Sequence, residues 1–241
     1  MAEAPRPPEP AEPIRRFYRE ASVADHAAGA RILLDGRPVR TPAKAHLAAP
    51  RPVAERIAAE WNAQGEHILP LTMPMTRLVN TAIDGVGGAV EAVREDIAKM
   101  AGSDLVMYRA DWPAGLVAAQ KQRWDPVVAN AEALFGVRIV LVEGVMPVSQ
   151  DERLTLAVLD ALPRDPLPLA ALHQLTTLTG SALIALAVAR GTLGFDEGWI
   201  AAHVDEDWNI AEWGEDAEAA RRRAQRRRDA QEAAFVLAPS A

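Results

Sequence analysis

The chain has 241 residues, 49% of them apolar and 24% charged, with a net charge of −7 and a pI near 5.3. That length and apolar content support one large or two small globular domains rather than a disordered chain, and the negative charge speaks against a general nucleic-acid binder. Cysteine is absent, which excludes disulfides, thiol catalysis and cysteine-ligated zinc or iron–sulfur centres.

Residues 1–13 carry Pro5, Pro7, Pro8, Pro10 and Pro13 and read as a flexible proline-rich tail without the features of a signal or transit peptide. After it, apolar runs at 17–23 and 31–34 precede Asp35-Gly36, a pair that predicts a tight hairpin turn. Pro38 predicts an edge position for the strand that follows, and residues 47–50 can add a further short strand. The period then changes: Val53, Ile57, Ala58 and Trp61 recur at helical spacing and Gly65 follows as a stop. These pieces define an N-terminal α+β domain over residues 14–73, with Trp61 as a structural residue of its helix.

From residue 74 to 241 the pattern is helical. Two short helices flank Gly85, Gly87 and Gly88. A longer one ends at Gly136, with Pro126 as a kink or a new first turn. Residues 137–144 are strand-like, and another helix covers 151–163. A central helix is expected across 166–191, ending at Gly191. One helix is predicted over 196–214 and another over the arginine-rich segment that follows. The most apolar window, Ser181 to Ala189, is roughly half the length of a membrane span and reads as a buried helix. The fold class is thus α+β: a small N-terminal α+β domain of short antiparallel strands plus a helix, followed by a larger all-helical domain.

The densest polar-aromatic stretch is "HVDEDWNIAEWGED", residues 203–216. Asp205, Asp207 and Asn209 imitate the start of a calcium loop, but Ile210 stands where glycine is needed and Asp216 where a bidentate glutamate is needed. The histidines have no metal-ligand spacing, no glycine loop has nucleotide-binding spacing, and Ser181 is not in a nucleophile elbow. Neither metal nor cofactor is expected. A helix would present Asp205, Trp208, Asn209 and Glu212 along one side, as a solvated face or as a docking surface. In the following segment six arginines meet nearly as many acids. Glu218 precedes Arg222 by four residues, so a stabilised surface helix is expected there rather than a nucleic-acid arm.

The blocks "RFYREASV", "ILLDGRPVRTP", "IAAEWNAQGEHILPLTMPMTRLVNTAID", "SDLVMYRAD", "LHQLTTLTGSALIALA" and "DEDWNIAEWGED" together resemble the Atp-twelve family, the assembly chaperones of the F-type ATP synthase catalytic head, from about Arg16 to about Phe235. The resemblance implies a non-enzymatic protein that binds the free alpha subunit and prevents its aggregation until the alpha/beta ring forms. It also implies a cytoplasmic location in a bacterium, with the mitochondrial matrix for eukaryotic relatives. No nucleic-acid or membrane partner is expected, and the free protein is expected to be a monomer. Expected partner-binding residues are Asp205, Glu206, Asp207, Trp208, Glu212, Trp213, Glu215 and Asp216. The competing reading is a small hydrolase or metal-assisted enzyme that uses this acidic cluster with His173 and Ser181.

Overall fold

The computed structural model describes residues 14–27, 29–144, 146 and 148–238; the proline-rich segment 1–13 lies outside them. The chain divides into two compact units. The first comprises residues 1–40 and 46–77, the second residues 41–45 and 78–241.

The first unit is built on a hairpin. Strands β1 (Ala21–His26) and β2 (Gly29–Leu34) pair antiparallel, with Ala21 opposite Leu34. Strand β3 (Arg37–Pro38) returns along the other edge of β2, and β4 (Ala48–Ala49) also pairs with β2. Asp35 and Gly36 both take positive φ, +48° and +79°, which matches the right-handed twist of the flanking strands. The Asp35 carboxylate accepts the backbone N–H groups of Glu20 at 3.0 Å and Arg19 at 3.1 Å, and these bonds hold its pKa below the usual carboxylate value. Along β2, Ala30, Ile32 and Leu34 alternate onto the buried face. Helix α1 (Arg51–Asn62) lays Val53, Ala54, Ile57 and Ala58 into the core. Tyr18 joins that core, its hydroxyl donating to the Trp61 carbonyl at 2.7 Å.

Glu60 supplies a connection that periodicity does not announce. Its carboxylate accepts from Met75 N at 2.6 Å, Thr76 N at 2.8 Å and the Thr76 hydroxyl at 2.6 Å, so it caps the start of α2 (Pro74–Asp84). Replacing Glu60 with alanine is expected to cost about 2 kcal/mol, the loss of a cap whose donors are buried. Urea unfolding of the variant checks this, and an unchanged midpoint would refute it.

The second unit is helical apart from one ladder. Helices α3 (Val90–Ala101), α4 (Ala114–Phe135) and α5 (Glu152–Ala161) precede a buried central pair, α6 (Pro166–Thr179) and α7 (Ala182–Ala189). Strands β5 (Tyr108–Arg109) and β6 (Val142–Glu143) pair in parallel. The strand-like run at 137–144 therefore contributes only two paired residues. Pro126 sits inside α4, which is assigned as one continuous helix.

The expected central helix is two helices. Gly180 takes a left-handed φ of +68°, which ends α6, and the Ser181 hydroxyl accepts Ile184 N–H at 3.0 Å to start α7. Apolar spacing continues through this break, because both helices are buried. The expected helix over 196–214 also splits, into α8 (Phe195–Ala202) and α9 (Val204–Trp213), with His203 non-helical between them. Helix α10 (Ala217–Leu237) follows. Among the described residues no helix is long and apolar enough to cross a membrane.

Candidate functional site

The acidic stretch forms helix α9, which buries only Val204 completely. Its position is set by three contacts from its first turns. Asp205 accepts a hydrogen bond from Gln120 Nε2 on α4 at 2.8 Å. Trp208 lies against α4 at Gly115, so closely that a Cβ there would fall 2.2 Å from the edge of the indole. Asp207 forms an ion pair with Arg223 of α10.

His203 fixes the junction with α8. Its Nδ1 lies 2.8 Å from the Trp199 carbonyl, which can only accept, so Nδ1 carries the proton. The other ring nitrogen, Nε2, lies 3.3 Å from Arg226 on α10 and accepts from it. Trp199 stacks on the imidazole with centroids 3.9 Å apart. Burial pushes the pKa of His203 below its ordinary value, so the ring is neutral at pH 7 and both hydrogen bonds are made.

The arginine-rich helix does more than stabilise itself. Glu218 and Arg222 form the expected pair at i, i+4. Arg223, Arg226 and Arg227 instead reach other helices: Arg223 to Asp207, Arg226 to the Leu178 carbonyl at 3.0 Å, and Arg227 to Asp196 at 2.6 Å. Ala230 and Ala233 are fully buried. The local pattern showed acids against arginines. It could not show that the arginines close onto α6, α8 and α9.

The eight residues singled out in the sequence therefore divide. Asp205, Asp207 and Trp208 face inward and hold the helix. Asp216 caps α10, accepting from Glu218 N at 3.1 Å and Ala219 N at 2.8 Å. Glu206 is half-buried and approaches Arg223 at 3.8 Å. Glu212, Trp213 and Glu215 are exposed, Trp213 at 84% of its surface. Trp213, Ile210 and Glu206 border a groove of about 440 Å³ whose other wall is Ala219, Ala220 and Arg223 of α10. A second depression between α8 and α10 shares Glu215, Ala220 and Arg223 with it, so the two form one channel with an apolar floor and a mainly acidic rim.

The residues of the competing enzymatic reading are not brought together as a reaction centre. Ser181 is fully buried, its oxygen engaged by Ile184 N–H and by Asp104. A nucleophile has to be open to its substrate. His173 stands at the surface with Nε2 3.0 Å from Asp96. Among the described residues no group of three or more His, Asp or Glu side chains is placed to hold a metal ion.

A family sequence model described as ATP12 chaperone protein matches residues 15–132, which ends within α4, before the acidic helix begins. Structural likeness extends further. The Atu1473 protein of Agrobacterium tumefaciens is 49% identical with a TM-score of 0.87, over 92% of this chain and 85% of that one. Atp12 from Paracoccus denitrificans is 36% identical with a TM-score of 0.83, over 93% of this chain and 97% of that one. A lysine-for-aspartate point mutant of the Paracoccus protein gives a TM-score of 0.82 at the same identity and coverage. With a family match over the first unit and the start of the second, and relatives this similar over nearly the whole length, the chain belongs to the ATP12 chaperone family.

Proposed function

We propose that this protein is an assembly chaperone of the F-type ATP synthase that binds the free alpha subunit and covers a surface otherwise prone to aggregation until the alpha/beta ring forms. It acts without catalysis and without a cofactor, as a monomer in the bacterial cytoplasm. The observation that carries the reading is the α9/α10 channel. An indole that is 84% exposed stands beside an apolar floor with carboxylates around it. Transient protein interfaces use such an arrangement, an aromatic anchor inside a charged rim.

Within this reading the contact residues are Glu206, Glu212, Trp213 and Glu215. Asp205, Asp207, Trp208 and Asp216 act by holding the surface in place. Trp213→Ala and Glu212→Lys are expected to leave stability within about 0.5 kcal/mol of the parent, as for exposed positions without internal partners. Trp213→Ala is expected to weaken alpha binding by roughly tenfold or more, corresponding to about 2 kcal/mol for a hot-spot tryptophan. Asp207→Lys is a contrasting variant, because it also breaks the pair with Arg223 and should loosen α9 from α10. Titration of purified alpha subunit against each variant, with urea unfolding in parallel, separates the two effects. Full affinity in the folded Trp213→Ala and Glu212→Lys variants would place the contact surface elsewhere.

A further inference from the structure

The second unit carries another exposed indole besides Trp213. Trp112, in the loop between β5 and α4, is 79% exposed and forgoes the burial that a tryptophan side chain usually gains. Both flanks of this loop are fastened to α9. On one side Gln120, itself almost fully buried, accepts Ala110 N–H at 2.8 Å through Oε1 and donates to Asp205 at 2.8 Å through Nε2. On the other, Gly115 lies against the Trp208 indole. Trp112 is two residues from Ala110 and three from Gly115, so its Cα lies within about 7 Å of the first and about 11 Å of the second. The loop is thus held at the edge of α9 while its indole stays in solvent.

Asp205 meets Gln120 and Trp208 meets Gly115, so α9 runs antiparallel to α4 and its next turn approaches the loop. At about 100° per residue, Glu212 projects about 40° from Trp208, toward this loop. Trp213 projects about 140° from Trp208 and borders the channel. Asn209 lies between them, and both Asn209 and Glu212 are exposed. The outer surface therefore runs from Trp112 across Glu212 and Asn209 to Trp213.

We propose that Trp112 is a second anchor for the alpha subunit, which straddles the end of α9 with one apolar group on Trp112, another on Trp213 and basic groups between them. The proposal rests on the alpha-subunit reading and carries its surface beyond the channel. Single exposed apolar residues are ordinary, whereas two indoles joined by an exposed charged strip have the composition of a transient interface. Size selects the same occupant. A partner that buries a standard patch of roughly 800 Å² covers a surface about 30 Å across. Helix α9, ten residues long, spans only about 15 Å, so a partner seated on Trp213 reaches the Trp112 loop. The charges along the strip are acidic: Asp111 and Glu212, then Glu206 and Glu215 in the channel. Arg223, the basic residue of the channel lining, is engaged by Asp207 and Glu206. Arg109, the basic residue nearest Trp112 in sequence, is buried and paired with Asp125 at 2.8 Å. Lys121 turns away from α9, about 100° round α4 from Gln120, and Arg123 lies about 12 Å along α4 from Gly115.

The test uses the full chain with 5-fluorotryptophan in place of its six tryptophans, the fluorine signals being assigned by single Trp→Phe replacements. Unlabelled alpha subunit is then added. The Trp112 and Trp213 signals are both expected to move and to lose their sensitivity to exchange of water for deuterium oxide, while fully buried Trp124 stays in place. Trp112→Ala is expected to weaken alpha binding by roughly tenfold with an unchanged melting temperature. A complex that covers Trp213 and leaves Trp112 in solvent, with full affinity in Trp112→Ala, overturns this proposal and leaves the alpha-subunit reading standing. No complex, or a complex in which neither indole changes, overturns both. A Trp112 signal that moves with chain concentration in the absence of alpha assigns the indole to a contact between copies and also overturns the proposal.

Discussion

Asp104→Ala is expected to lower the folding stability by about 3–5 kcal/mol, a large share of the roughly 5–15 kcal/mol that a folded domain has. Asp104 is almost completely buried. One carboxylate oxygen accepts Val106 N–H at 3.3 Å in the turn that follows it, and the other accepts Leu183 N–H at 3.0 Å at the start of α7. The Ser181 hydroxyl also bonds to it. One side chain therefore satisfies donors both in the turn that follows it and at the start of α7, 79 residues further along the chain. Alanine would leave those donors buried without acceptors, which is the costly way to lose a hydrogen bond. Urea unfolding measures the loss, and a change below about 1 kcal/mol would show that water or a shifted backbone replaces the carboxylate.

The same residue gives a pH signature. Burial raises the Asp104 pKa to about 6, against the opposing hydrogen bonds from Ser181 and from the Leu183 and Val106 amides. An unfolded aspartate titrates near ~3.9, so the native state holds a proton that the unfolded chain has released. The contribution of this group is complete below about pH 4 and is lost as pH rises through 6, by roughly 3 kcal/mol in all. Asp104→Asn cannot ionise. The stability difference between parent and Asp104→Asn should therefore be larger at pH 4.5 than at pH 7.5. His203, whose pKa burial pushes the other way, titrates in both proteins and cancels in the comparison. A pH-independent difference would contradict the assignment.

Gly115→Ala is the second variant with a large expected effect, and here two terms oppose each other. Alanine in place of glycine favours a helix by up to about 1 kcal/mol. Against this, the new Cβ would lie 2.2 Å from Trp208 Cη2 and 2.9 Å from Cζ3, closer than non-bonded carbons approach. Forced overpacking costs about 1–3 kcal/mol, so the clash wins and the indole is displaced, carrying α9 with it. The expected result is a changed near-ultraviolet signal, a stability loss of about 1–2 kcal/mol and a weakened hold on alpha, although Gly115 itself lies outside the channel lining. Unchanged spectra and affinity would show that α9 tolerates the shift and that Trp208 does not position the site.

The parts of the fold written in local chemistry were legible in the sequence. Asp35-Gly36 specified its hairpin because only a few residue pairs fit the required backbone, and α1 was visible from Val53, Ile57 and Ala58. Long-range chemistry was not legible. The break at Gly180 was hidden because both α6 and α7 are buried and the apolar pattern runs through. The break at His203 was hidden for a different reason: the histidine is held by the Trp199 carbonyl and by Arg226, a residue 23 positions away. In the acidic stretch the density of carboxylates and tryptophans marked the region, and helical periodicity placed several of them on one side. Which ones face outward depends on Gln120, Gly115 and Arg223, and no spacing within residues 203–216 encodes those partners.

Binding of alpha through the α9/α10 surface is tested most directly by titration of purified, isolated F-type alpha subunit with the full chain and with its Trp213→Ala and Glu212→Lys variants. The parent is expected to form a stable complex that keeps alpha soluble, and the folded Trp213→Ala variant to lose affinity by roughly tenfold or more. A parent protein that forms no complex with alpha, or variants that bind it as tightly as the parent, would contradict it.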